Sequence, residues 1–200
     1  MTDYPNWFAQ TAQHNFERFL LPFKGEQDLR FLQLGVYTGD ASVWLLDNVL
    51  TGDGCKLFDV DTWMGSDEEI HKGMDFAGIY NLYLDRVGFN TIWHRDTTFN
   101  YLTRGVELDK ERHFSSHQEC KFDFIYVDAD HTTVGVILDA ELSWPLLKSG
   151  GIMAFDDYTW GHESGDPRLA PMVGIDLFLH RHQGDYELLA KNDQVWIKKK

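Results

Sequence analysis

Apolar positions along this 200-residue chain switch repeatedly between short solid runs and helical spacing. Trp7, Phe8, Ala12, Phe16, Phe19 and Leu20 recur at mostly helical intervals, which predicts a helix over about 6–21 that Pro22 stops. Leu29–Leu34 is a compact apolar run leading into Gly35-Val36-Tyr37-Thr38-Gly39, and Ala41–Leu50 then shows helical character. Lys56–Asp61 predicts a second strand that ends on acid, and Asn90–Arg95 a third with alternating apolar residues. Between them, Asp67 to Val87 reads as mostly helical. Phe122–Val127 is the clearest strand, followed by a helix over Thr132–Leu147 that Lys148-Ser149-Gly150-Gly151 is expected to stop. Ile152–Phe155 is a further apolar strand, Met172–His182 a helix, and Tyr186–Ala190 and Gln194–Lys198 are two strands around an Asn192-Asp193 turn. Strands alternating with helices predict an α/β fold: a doubly wound, mostly parallel seven-stranded sheet with helices on both faces and an antiparallel C-terminal strand pair.

Length and composition suit one domain over residues 1–200, with residues 1–22 as a helical cap or lid. At 43% hydrophobic residues the chain can bury enough apolar surface to offset its conformational entropy. Against 32 Asp and Glu stand only 18 Lys and Arg; the formal charge of −14 opposes binding to nucleic acid or anionic lipid, so no nucleic-acid partner is expected. No run approaches the roughly 20 apolar residues of a membrane span. The opening MTDYPNWFAQ lacks the basic-then-apolar layout of a signal peptide, so a cytoplasmic protein with no membrane partner is expected. Cys55 and Cys120 make no disulfide framework and read as core thiols in a reducing compartment. The aromatic stretch Tyr4-Pro5-Asn6-Trp7-Phe8 suits contact between copies in a homo-oligomer as well as it suits a lid.

In open α/β sheets ligands bind beyond the carboxyl ends of the strands. Those ends carry Gly35 and Gly39 after the first strand, Asp59 and Asp61 at the second, and Asp96 after the third. Asp128 and Asp130 follow the fourth, and Asp156 and Asp157 the fifth. Gly35-x-x-x-Gly39 lets backbone approach a ligand, and its spacing differs from the G-x-G-x-x-G of dinucleotide sites. A carboxylate at the end of the next strand, Asp61 with Asp59 in reserve, suits ribose hydroxyls. Asp128, Asp130, Asp156 and Asp157 would repel one another if brought together, so either protons or a hard divalent cation must compensate. Taken singly, Asp130 or Thr132 also suits the cap of the following helix. His131 is the histidine inside this carboxylate cluster. The chain has no G-x-S-x-G elbow and no glycine-rich phosphate loop ending in Lys-Ser/Thr.

Four blocks, residues 31–42 (FLQLGVYTGDAS), 58–63 (FDVDTW), 122–131 (FDFIYVDADH) and 146–158 (LLKSGGIMAFDDY), together resemble class I S-adenosylmethionine-dependent methyltransferases. The likeness is greatest to the small metal-dependent O-methyltransferase group that includes the macrocin-type antibiotic-sugar methyltransferases. It implies a Rossmann-like methyltransferase fold that binds S-adenosyl-L-methionine along Gln33, Gly35, Tyr37, Thr38, Gly39 and Ser42, with the ribose on Asp61 and the adenine near Asp96 and Thr97. It further implies Mg2+ or a similar cation on Asp128, Asp156 and Asp157, Asp128 also bordering the cofactor. Asp130 is the implied base and His131 the second candidate. The implied acceptor is a small-molecule hydroxyl, of a sugar or a phenol-like compound. Family members carry an acid where this chain has Gln33; an amide can still accept a hydrogen bond from the cofactor ammonium but adds no charge. A cofactor-binding module without catalysis and a dehydrogenase-like enzyme are the rival readings.

Overall fold

The computed structural model describes residues 4–66, 69–88, 91–103 and 121–200, with His162 described by its backbone alone. Asp67, Asn90 and Cys120 lie outside the described residues. Its strands are β1 (Arg30–Leu34), β2 (Lys56–Asp61), β3 (Thr91–Arg95), β4 (Phe122–Val127), β5 (Leu147–Phe155), β6 (Tyr186–Lys191) and β7 (Val195–Lys199). They form one sheet in the order β3-β2-β1-β4-β5-β7-β6. β1 to β5 run parallel, and β7 pairs antiparallel with both β5 and β6. The main helices are α1 (Gln13–Leu20), α2 (Asp40–Asn48), α3 (Phe76–Arg86), α4 (Thr133–Ser143) and α5 (Pro171–Arg181).

Side chains alternate across a strand, so each strand serves two cores. Leu32, Leu34, Val60, Ile125, Val127, Met153 and Phe155 pack on one face with Val136 and Ala140 of α4 and Ile175 and Phe178 of α5. On the other face, Phe31, Leu57, Phe124, Tyr126, Ala154 and Trp196 pack with Ala12, Phe16 and Leu20 of the first helical segment and Leu45 of α2. A third cluster, Trp63, Ile79 and Tyr83, lies under α3.

Three element boundaries differ from expectation. The long helix expected up to Leu147 ends at Ser143, and a 3-10 turn spans Trp144–Leu146. Pro145 has no N–H with which to continue the helical ladder. The Lys148-Ser149-Gly150-Gly151 segment is therefore no helix stop: it lies within β5, where the pairing with β4 shifts register between Phe122 and Phe124. Within the stretch expected to be helical from Asp67, Glu69–His71 is a 3-10 turn and α3 starts only at Phe76, capped by the Asp75 side chain accepting from Gly78 N. The N-terminal helix is one body with a π-helical opening, Phe8–Ala12, ahead of α1.

That N-terminal segment is built into the core. Phe16 is fully buried and meets the rings of Phe124, Tyr126 and Trp196 edge-on at 5.6, 5.0 and 5.3 Å. Next to it, buried Asn15 donates to Gln194 Oε1 at 2.9 Å. Phe16→Ala should therefore cost about 3–5 kcal/mol of stability, read as a lowered midpoint in urea. A change under about 1 kcal/mol would mean that the segment lies over the fold as a detachable lid.

Candidate active site

Backbone hydrogen bonds carry the parallel ladders one residue past the strands. Gly35 N donates to Val60 O (2.9 Å), Asp128 N to Leu34 O (2.8 Å), Asp156 N to Val127 O (3.0 Å) and Asp96 N to Asp61 O (3.1 Å). The glycine loop and the acids after β3, β4 and β5 thus share one edge of the sheet.

Gly35 sits at φ +87°, and a Cβ there would overlap the carbonyl of Asp128, so the loop lies directly against the end of β4. Val36 N and Tyr37 N both donate to Asp61 Oδ2, at 2.8 and 2.9 Å, while Trp63 N donates to Asp61 Oδ1 at 2.7 Å. Tyr37, in the left-handed region at φ +54°, is held through its carbonyl by Trp63 Nε1 (2.9 Å) and against the Trp7 ring at 4.7 Å. Thr38 is buried, and its hydroxyl donates to Asp40. Arg86 locks this corner by donating to Thr38 O (3.0 Å) and to Asp40 (2.6 Å). Gly39, at φ +78°, opens α2 beneath the Tyr83 ring.

Behind the loop lies a sealed polar network. Gln33 Nε2 donates to Ser42 Oγ (2.7 Å) and Asp59 Oδ1 (2.8 Å), and Ser42 and Tyr83 hydroxyls donate to Asp59 Oδ2 at 2.8 and 2.9 Å. Burial pushes the Asp59 carboxyl up to about 6; these three donors oppose the shift and the neighbouring Asp61 adds to it. Asp59 is thus enclosed behind the loop, whereas Asp61 is partly exposed at the rim.

The second acidic group divides. Asp128, His131 and Asp157 each offer a ligand atom within 4.8 Å of the others, and their side chains keep 30%, 21% and 34% exposure. His131 Nε2 lies 2.9 Å from Asp157 and 3.6 Å from Asp128. Burial, and then the Asp156 carboxylate, push Asp128 well above the usual carboxylate range. Asp156, expected as a third ligand, is not in this group. Its oxygens accept from the Tyr126 hydroxyl, from Asp157 N (2.9 Å) and from Gln194 Nε2 (3.2 Å). Asp130, the expected base, is exposed; its Oδ1 accepts from Thr132 N at 2.8 Å, and its carboxylate lies against Gly135. It belongs to the turn in which Thr132 caps α4 through Gly135 N. Asp96 and Thr97 form a similar turn, accepting from Asn100 at 2.8 and 3.1 Å.

Residues 32–158 match a family model described as a methyltransferase domain. The chain belongs to this methyltransferase family. Its fold is the Rossmann-like one of class I S-adenosylmethionine-dependent methyltransferases, as the solved structures it resembles bear out. The MycE methyltransferase of the mycinamycin biosynthetic pathway, solved with Mg, SAH and mycinamycin VI, matches at a TM-score of 0.61 and 13% identity over 98% of this chain. The chain spans only 50% of the length of that protein. An O-methyltransferase from Bacillus cereus in complex with SAH matches at TM-score 0.60 and 17% identity, covering 94% of this chain and 81% of that one. A putative rRNA-methylase from Clostridium thermocellum matches at TM-score 0.57 and 17% identity, covering 94% and 97%. No curated protein matches the chain. Among the described residues of this methyltransferase, no helix is long and apolar enough to cross a membrane.

The supporting groups Tyr83, Arg86, Tyr126, Gln194 and Asp139 carry no sequence motif. Asp139, on the buried side of α4, is 2% exposed, and burial pushes its carboxyl up to about 7, with Asp130 adding to the shift and the Thr98 hydroxyl opposing it. A carboxyl raised from 3.8 favours the folded state fully below about pH 4 and loses that advantage as the pH rises through about 7, by ~1.4 kcal/mol for each pH unit between them. Thermal unfolding should therefore show Asp139→Asn more stable than the parent at pH 8, with the gap closing toward pH 5. An equal difference at both pH values would contradict this.

Proposed function

We propose that this methyltransferase transfers the methyl group of S-adenosyl-L-methionine to a hydroxyl oxygen of a small molecule, with a divalent cation of the Mg2+ type at Asp128 and Asp157. The observation that carries the reading is the juxtaposition of the Asp128, His131 and Asp157 trio with the rigid loop over Gly35–Gly39. MycE, solved with Mg and SAH, and the Bacillus O-methyltransferase, solved with SAH, support it as relatives in fold. The rRNA-methylase likeness would offer RNA as the acceptor, but a chain of net charge −14 is poorly suited to a polyanion.

The residues fit both groups. Two carboxylates with a raised-pKa member and a third acid nearby form a hard-oxygen donor set that gains from a cation. The loop backbone beside Asp61 can take the methionine portion, Asp61 Oδ1 keeps acceptor capacity for a ribose hydroxyl, and Asp96 and Thr97 border the adenine. When bound, S-adenosyl-L-methionine supplies the methyl group on a sulfonium ready for in-line displacement. When bound, the cation supplies Lewis acidity and orients the acceptor.

We assign to His131, rather than to Asp130, the proton that leaves the acceptor hydroxyl. Its Nε2 lies 2.9 Å from Asp157 and 3.6 Å from Asp128; a cation on those carboxylates would oppose an imidazolium but would also acidify the acceptor hydroxyl, so a weak base suffices. Asp130 has its charge committed to the start of α4. Asp156 holds the fifth strand end in place through Tyr126 and Gln194.

Calorimetry should show S-adenosylhomocysteine binding, with Asp61→Ala weakening it by about tenfold to a hundredfold, since a charge-assisted bond is worth ~1.5–3 kcal/mol. Unchanged affinity would remove Asp61 from the site. With an accepted hydroxyl substrate in hand, His131→Gln should lower turnover by about a hundredfold or more and Asp130→Asn far less, neither altering cofactor affinity. The reverse ranking would return the base to Asp130. Mn2+ binding followed by electron paramagnetic resonance should be lost in Asp157→Asn, and retention would place the cation elsewhere.

A further inference from the structure

Gln33 and Asp59 stand opposite each other in the parallel register of β1 and β2, both inside the protein at 1% and 0% exposure. An ionised carboxylate only accepts, and a side-chain amide has one accepting and one donating end. Gln33 must therefore turn Nε2 toward Asp59, and both Nε2 hydrogens are spent on Asp59 and Ser42. The carbonyl oxygen Oε1 is left on the other side, buried and with no hydrogen-bond partner among the described residues. A buried acceptor without a donor is unfavourable, and here it sits two residues before the Gly35 turn, at the strand end to which the function proposed above assigns the cofactor.

We propose that Asp59 is a positioning residue: it fixes the Gln33 amide so that Oε1 receives an N–H from the amino group of the cofactor's amino-acid end. The proposal rests on the methyltransferase reading above and adds to it the source of the negative charge. An acid at position 33 would stand at 2.8 Å from the Asp59 carboxylate in a site closed to water, where two anions cannot both persist. Asp59 therefore requires an amide at 33. The charge sits one strand away, and Gln33 relays it as an oriented dipole.

The decisive experiment exchanges the two groups. S-adenosylhomocysteine affinity is measured by calorimetry at pH 7.5 for the parent, Gln33→Glu, Asp59→Asn and the double variant, alongside the thermal midpoint of each without ligand. Each single change is expected to weaken binding at least tenfold, and the double variant, which keeps one acid and one amide in contact, is expected to recover to within a few fold of the parent. Recovery of affinity beyond any recovery in thermal midpoint separates orientation of the amide from plain stability. Additive losses in the double variant, with a parent that binds well, would overturn this proposal alone. A parent that does not bind S-adenosylhomocysteine would sink the methyltransferase reading and this proposal with it. Should Gln33→Glu fail to fold, Gln33→Met keeps the volume and deletes the acceptor; at least a tenfold loss is expected, and unchanged affinity would overturn the idea.

Discussion

One carboxylate shapes the entrance to this site. Asp61, at the end of β2, accepts the N–H groups of Val36 and Tyr37 on one oxygen and that of Trp63 on the other. Charge-assisted bonds of this kind are worth ~1.5–3 kcal/mol, enough to hold Tyr37 and Trp63 at positive φ, where a non-glycine residue costs ~1–3 kcal/mol. The loop after β1 is thus folded around an anion supplied by its neighbour before any ligand arrives. Because Gly35 lies against the carbonyl of Asp128, the same constraint sets the distance between the glycine loop and the acids after β4.

The strand-end acids of this chain are satisfied in three different ways, and the differences sort them by role. Asp61 is matched by backbone amides. Asp59 and Asp156 are matched by side-chain donors buried with them: Gln33, Ser42 and Tyr83 for the first, and Tyr126 and Gln194 for the second. Asp128 and Asp157 have the imidazole of His131 between them and keep part of their surface open to solvent. Asp128 and Asp157, the least completely compensated of these acids, lie together at one end of β4 and β5.

Much of this could be read from the residues themselves. Solid apolar runs ending on Gly or Asp marked β1, β2, β4 and β5, because strands buried on both faces leave little freedom in composition. The blocks around Gly35, Asp61, Asp128 and Asp157 come together at one edge of the sheet because each sits at a strand terminus, a position defined by local sequence. Partnership was harder to read. That Asp156 turns to Tyr126 and Gln194 depends on rotamers and on contacts between distant segments that no spacing encodes, whereas the turn of Asp130 back to Thr132 is local and its capping alternative was legible in the residues. Asp59 and Asp61 lie two apart on one strand and look equivalent as letters; the Tyr83 and Ser42 hydroxyls and the Gln33 amide show that one is sealed and the other open. The Gly150-Gly151 pair looked like a helix stop because glycine serves both helix ends and strand irregularities, and Pro145 had already ended the helix.

The contact between α1 and β7 has a consequence for biosynthesis. Asn15 and Gln194 are hydrogen-bonded across 179 residues of sequence, and Phe16 rests on Trp196 beside them. On a ribosome adding about 5–20 residues per second, the aromatic face of the first helix waits roughly ten to forty seconds for the strand that covers it. Through that interval the nascent chain presents Phe8, Phe16 and Phe19 to the cell as uncovered apolar surface. Its yield will depend on whatever shields those rings during translation as much as on the stability of the finished sheet.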